Sequence, residues 1–383
     1  MRAPAKSAPS FHLPALDGLR GLAALAAVAF HYLQGPASAL GIFAWFNGFM
    51  IGIPIALDTF FILSGFLIGS ILLRYRESPN YYKAFYLRRT HRILPLYYAW
   101  FCVYLAFFLF AKGWGLRSAG THSTAFTLAS YIFLFQNFIY TVIESSYIAA
   151  PTWTLAVEEH FYLISPLLVR KLSKRALLRV LVAVVVAVPL IRALVTIVGR
   201  GADWSNFAIE LWTLCRADAL ALGMLLAVVW SVPSAQKWVR EKSAFYTPAI
   251  LLFSALSFLC VWISYAQIPH TFVLMAVVTR TLMEFSCLSL LLLVLARPAS
   301  LTARFLASRV MRWFGQISYC LYLIHWGILW VLVRFLLQTT FGASPGREAA
   351  AIVAAFVISC ALSQLSWKYF EAPLVERGRR FSF

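Results

Sequence analysis

An arginine and a histidine stand eleven residues apart in an otherwise apolar stretch, LDGLRGLAALAAVAFHYL, which runs from Leu16 to Leu33. At 3.6 residues per turn Arg20 and His31 share one helix face, about 16 Å apart along the axis. Ionisable groups inside an apolar helix are costly unless they face a protein interior or a wet cavity, so the pair points to a site with two depths. An imidazole becomes a general base when a carboxylate holds it and stabilises its charged form. Two carboxylates are placed for that work. Asp58, in IALDTFFILSGFLIGS, reaches the depth of His31 if the second helix runs in the opposite direction. Its other reading is a helix-start residue favoured by the positive end of the dipole. Glu158, in PTWTLAVEEHFYLISP, lies five residues into an apolar helix, with Trp153 before it and Tyr162 one turn on, both candidate contacts for the acceptor substrate. Its natural partners are His31, a substrate hydroxyl or an arginine, and a purely structural ion pair is the alternative.

A second group is cationic. Arg88, Arg89 and Arg92 cluster in YLRRTHRILPLYY, and arginines three apart lie on one face. With Arg20 they form a pocket suited to phosphate or pyrophosphate, or else they mark a membrane face and touch lipid head groups. Gln136 and Asn137 interrupt the apolar run FTLASYIFLFQNFIYTVI. Such an amide pair needs partners, either lining a cavity or bonding neighbouring helices, and Asn137 is a candidate oxyanion donor. Arg216 and Asp218, and Arg280 and Glu284, read as neutralising neighbours on their own helices, with Arg216 deep enough to serve a ligand. Ser318, Tyr322 and His325 follow helical spacing, and a lone apolar-segment histidine such as His325 is expected to be satisfied locally. No G-x-S-x-G elbow, phosphate-binding P-loop or H-E-x-x-H zinc site occurs, and no metal is expected.

These residues need a scaffold, and composition names its class. Of 383 residues, 62% are hydrophobic and 12% charged, which lies outside soluble usage and inside the polytopic membrane class. The expected fold is all-α, a polytopic integral membrane protein of about ten transmembrane helices in one domain, residues 1–383. The spans read at 16–34, 54–73, 93–111, 153–169, 177–198, 207–230, 245–265, 272–296, 313–337 and 349–370, each about long enough to cross hydrocarbon. Residues 1–15 and 371–383 are expected as cytoplasmic tails, and the first helix as retained rather than cleaved. The net charge of +19 is broken into short clusters between apolar runs, which argues against nucleic acid. With both termini cytoplasmic, 24 of the 33 Lys and Arg fall on the cytoplasmic side, four outside and five within spans, a firm positive-inside bias. That count requires residues 126–143 to be a re-entrant or interfacial segment, tolerable only if buried in protein. The six cysteines all fall in apolar segments, and no disulfide framework is expected.

LDGLRG followed by His31, DTFFILSGF, YLRRTHRILPLYY, PTWTLAVEEHFYL, RADALALG and SYCLYLIH occur in the order seen in the family-three membrane acyltransferases, which the chain resembles over almost its whole length. The resemblance implies transfer of an acyl group, commonly acetyl, from cytoplasmic acyl-CoA to a hydroxyl of an extracytoplasmic or lipid-linked glycan, in the cytoplasmic (inner) membrane. It implies His31 as the catalytic histidine with Arg20 its partner, and roles for Asp58, Arg89, Arg92 and Glu158. Arg20, Arg88, Arg89 and Arg92 would hold the CoA phosphates, and His31, oriented by Asp58 or Glu158, would act on the acceptor. Family members often carry an extra C-terminal hydrolase-like domain; this sequence resembles the stand-alone branch. The rival class is a transporter or flippase of a lipid-linked sugar. Acceptor choice is assigned to the loops at 34–53 and 112–126.

Overall fold

In the computed structural model, residues 13–39, 54–113, 124–139, 151–200, 202–265, 273–333 and 345–383 are described, and their regular elements are all helical. The expected loops at 34–53 and 112–126 fall largely outside these residues, as do residues 1–12. In chain order the helices are α1 (Pro14–Ala39), α2 (Pro54–Arg74), α3 (Tyr81–Gly113), α4 (Thr124–Ile132), α5 (Gln136–Ile139), α6 (Trp153–Lys171), α7 (Lys174–Gly199) and α8 (Asp203–Leu211). There follow α9 (Thr213–Trp230), α10 (Pro233–Glu241), α11 (Tyr246–Tyr265), α12 (Arg280–Ala296), α13 (Leu301–Leu306), α14 (Arg309–Val331), α15 (Pro345–Ser366) and α16 (Ala372–Arg379). A backbone in lipid must satisfy its own polar groups, which is why each apolar run becomes a helix.

Helices occupy the described parts of all ten expected stretches, and among the described residues eight are long and apolar enough to cross a membrane. The other two are α3, which opens with Lys83, Arg88, Arg89 and Arg92, and α6, which holds Glu158, Glu159, Arg170 and Lys171. The chain is an all-α polytopic membrane protein. Its outer surface is apolar: Val186, Leu190, Leu194 and Ile197 of α7 are exposed on one face, while Leu181, Val188 and Arg192 are buried on the other.

Among the close helix approaches, two bear on the charged residues. A Cβ on Gly315 of α14 would overlap the Asp17 carbonyl of α1, and one on Gly223 of α9 would overlap the Ile62 carbonyl of α2. Small residues let backbones meet this way, and they set Arg20 and Asp58 against their neighbours.

Buried charges cross-link the bundle. Arg216 of α9 donates to Asp58 of α2 at 2.8 Å, and Arg192 of α7 meets Asp218 at 2.7 Å and Glu284 of α12 at 3.5 Å. Arg280 pairs with Glu210 of α8. The expected same-helix pairings are therefore replaced by pairings between helices, because a buried charge takes the partner with the best geometry rather than the nearest in sequence.

Between α3 and α6 the chain is interrupted, with α4 and α5 separated by a turn in which Leu134 has φ 59°. The broken backbone is satisfied by protein: Tyr97 donates to the Tyr131 carbonyl at 2.7 Å and Tyr98 to the Ile132 carbonyl at 2.9 Å. Residues 140–143 of the expected re-entrant segment lie outside the described residues.

Candidate active site

A cavity of about 290 Å³ opens between α1, α2, α3, α6 and α14 and is lined by Arg20, Arg89, Arg92, Glu158, Tyr162 and Tyr322 among others. Inside it Ser64 and Tyr162 lie 2.8 Å apart, and Tyr162 donates to Glu158 at 2.9 Å. Since the Tyr162 hydrogen goes to the carboxylate, Ser64 donates to Tyr162 and the chain of bonds ends on Glu158. Glu158 also feels the charges of Arg20 and Arg89. Asp17 and Glu371 complete the polar wall, and Glu371 accepts from Ser366 at 2.8 Å. With three arginines and three carboxylates this larger cavity is mixed in charge.

A second cavity of about 160 Å³ shares Ile71, Arg89, Arg92 and Val375 as a common wall with the first. Its other walls are Phe85, Arg88, Arg379 and Phe383, so its polar lining is four arginines and no acid. Residues 371–383 are not a loose tail. They continue the last helix, and the segment docks on α3: Arg88 donates to the Phe381 carbonyl at 2.7 Å, and Phe383 stacks on Tyr75 at 4.2 Å between ring centres. The Arg88 guanidinium lies 4.8 Å over the Phe383 ring.

At the other end of the larger cavity Thr154 donates to the Tyr322 hydroxyl at 3.1 Å. One turn beyond on α14 is His325, whose ring centre is 5.8 Å from that of Tyr322 and 5.2 Å from that of His31. His31 is half-buried and also packs against Trp326 at 5.0 Å. Thus the α14 positions from Gly315 to Leu323 wall the cavity over about 12 Å of helix, and the histidine pair stands just behind Tyr322.

Several placements differ from expectation. Asp58 is committed to Arg216 rather than to His31; of the partners expected for Glu158, the structure supplies arginines, in the larger cavity, rather than the histidine. Arg20 lies with Asp17 and Glu158, outside the four-arginine cavity. Arg216 is held between the rings of Phe61 and Trp153 at 5.4 and 5.6 Å, so Trp153 covers an ion pair instead of facing an acceptor. The Asn137 amide donates to the Leu211 carbonyl at 3.1 Å and to Thr213 at 3.0 Å, which uses both hydrogens and leaves none for an oxyanion. Gln136 donates to the Thr152 carbonyl at 3.0 Å. Both amides tie the α4–α5 turn to neighbouring helices. Arg88, Arg89 and Arg92 come together as expected, and Arg379 of the C-terminal segment joins them.

The family profile described as Acyltransferase domain matches residues 13–365. The chain belongs to this acyltransferase family. Its relatives include the peptidoglycan O-acetyltransferase OatA of Listeria monocytogenes, 28% identical over 96% of this chain and 56% of the relative. The O-acetyltransferase OatA of Staphylococcus aureus is 26% identical over 97% of this chain and 59% of the relative. The acyltransferase thus spans somewhat more than half the length of these curated relatives. No solved structure matches it.

Proposed function

We propose that this acyltransferase moves an acyl group, acetyl in the simplest case, from acyl-CoA to a hydroxyl of an envelope glycan, with peptidoglycan, on which its Listeria relative acts by name, as the first acceptor to test. The observation that carries the reading is the pair of cavities with a common wall. Arg88, Arg89, Arg92 and Arg379 offer an acid-free cluster for the donor's phosphates, and arginine suits phosphate by its forked donors. The larger, mixed cavity leads away from them for about 12 Å and ends at Tyr322 beside the histidine pair. A pantetheine arm laid along it would bring its thioester toward His31. There His31 takes the proton of the attacking hydroxyl, a contribution usually worth about 10²- to 10⁴-fold. In the orientation that the Lys and Arg distribution favours, the arginine end would face the cytoplasm and the histidines the outside, which supports a cytoplasmic donor and an extracytoplasmic acceptor.

The test is to give the purified full chain acetyl-labelled CoA and peptidoglycan fragments, and to compare wild type with His31→Ala. Label transfer lost by at least about 100-fold, with donor binding retained, supports the reading. Transfer untouched by the substitution removes His31 from the chemistry, and movement of lipid-linked sugar without any donor favours a transporter.

A further inference from the structure

His325 is fully buried, and only one of its ring nitrogens is accounted for. Nδ1 lies 2.8 Å from the Tyr322 carbonyl and 3.1 Å from the Leu321 carbonyl of its own helix. Carbonyl oxygens only accept, so Nδ1 carries the hydrogen, and in the neutral ring Nε2 is a bare acceptor. That Nε2 is buried and has no hydrogen-bond partner among the described residues. A buried acceptor without a donor is costly, which points to a group that reaches it during function.

The group placed to do so is His31. The two ring centres are 5.2 Å apart and the planes are inclined by 42°. The backbones at this level are clamped together, for Tyr32, the residue after His31, donates to the His325 carbonyl at 2.9 Å and meets Ser359 at 3.2 Å. The carboxylates that sequence suggested for this work are engaged elsewhere, Asp58 with Arg216 and Glu158 with Tyr162.

We infer that His325 is the positioning residue of His31, its Nε2 accepting a hydrogen bond from the N–H of the His31 ring. The inference rests on the acyltransferase reading. In the transfer step the acceptor oxygen bonds to the thioester carbonyl carbon and its proton moves to the unprotonated nitrogen of His31. The carbon–sulfur bond breaks with its electron pair on sulfur, and the proton then passes from His31 to the thiolate, giving ester and free thiol. Throughout, the second nitrogen of His31 keeps its hydrogen, and the bond from it to His325 strengthens while His31 is positively charged. A neutral acceptor does this without placing another carboxylate in the membrane interior, where ionised groups are costly.

Two near-isosteres separate this role from packing. His325→Asn keeps a donor where Nδ1 sits and removes Nε2; His325→Gln keeps a polar atom near Nε2 and loses the Nδ1 contact. The purified full-length variants, with rates taken per folded protein from size-exclusion chromatography, are assayed for transfer from labelled acetyl-CoA to peptidoglycan fragments. We expect Asn to lower kcat by about 10- to 100-fold, by analogy with the loss when the outer hydrogen-bond partner of a metal-bound histidine is removed, with the donor KM unchanged, and Gln to recover several-fold of it. Asn retaining more activity than Gln assigns His325 to helix packing and overturns the proposal, as does wild-type kcat in both. Failure of wild type to transfer label overturns the acyltransferase reading itself. Transfer that His31→Ala abolishes and both His325 variants leave intact overturns the positioning role alone.

Discussion

Arg192, Arg216 and Arg280 share a bundle with Arg20, Arg89 and Arg92, yet the two sets are held differently. Each of the first three meets a carboxylate on another helix, and their side chains are less than a tenth exposed. Arg20, Arg88, Arg89, Arg92 and Arg379 make no ion pair with a carboxylate within 4 Å among the described residues, and all five border a cavity. A buried pair neutralises itself and locks helices together, whereas guanidinium groups that border a cavity without a carboxylate partner keep donors available to an anion, even though Arg88 gives part of its donors to the Phe381 and Arg379 carbonyls. The same residue type therefore serves stability in one region and binding in the other.

The largest expected effect breaks the first region. Arg216→Met strands Asp58, fully buried and losing its 2.8 Å partner, and should cost about 3–5 kcal/mol of stability. Thermal unfolding in detergent checks this, and adding Asp58→Asn should restore a large part of the loss. If Arg216→Met unfolds at the wild-type temperature, the cross-linking role of this network is wrong.

The second region should respond in the opposite way. Arg92 borders both cavities and is exposed. Arg92→Ala should leave the unfolding temperature near wild type while weakening acetyl-CoA binding by about 10- to 100-fold, the worth of one or two charge-assisted hydrogen bonds. Arg379→Ala should follow at about 10-fold, since it contributes to the smaller cavity alone. Equilibrium binding of labelled acetyl-CoA to the purified variants measures both. A stability loss in Arg92→Ala as large as that of Arg216→Met would erase the distinction between the regions.

What sequence could and could not reveal follows the same division. The helices were legible because an apolar run in lipid has one backbone solution, and Arg88, Arg89 and Arg92 were legible as a group because their spacing acts within one helix. Pairings between helices were not. Asp58 meets Arg216 across 158 residues, and no periodicity within either segment distinguishes that partner from His31. Glu158 and Arg20 were assigned to different depths from their positions along separate helices, but the tilt and offset that bring both into one cavity depend on packing such as the Gly315 contact with Asp17. Arg379 looked like ordinary tail charge because only the docking of Phe381 and Phe383 on α3 turns it toward Arg88. His325 could be recognised as helical and apolar-flanked, yet that its buried Nε2 meets no donor among the described residues is a property of the assembled bundle.

The smallest expected effect tests whether arginine is the dominant element of the acid-free cavity. Phe383 stacks on Tyr75 at 4.2 Å with an interplanar angle of 6°, and the Arg88 guanidinium rests 4.8 Å above its ring. The stack holds the last residues in place, and through the 2.7 Å bond from Arg88 to the Phe381 carbonyl it fixes the orientation of the Arg88 side chain. Phe383→Ala removes an aromatic pair worth about 0.5–1.5 kcal/mol and a cation–π contact worth about 0.5–1 kcal/mol. Arg89, Arg92 and Arg379 stay in the cavity wall, so acetyl-CoA binding should weaken by only about threefold, the lower end of those contributions. Phe383→Tyr keeps the ring and should bind as wild type. A loss in Phe383→Ala greater than that of Arg92→Ala would mean that the aromatic floor, and not the guanidinium cluster, supplies most of the affinity at this end of the molecule.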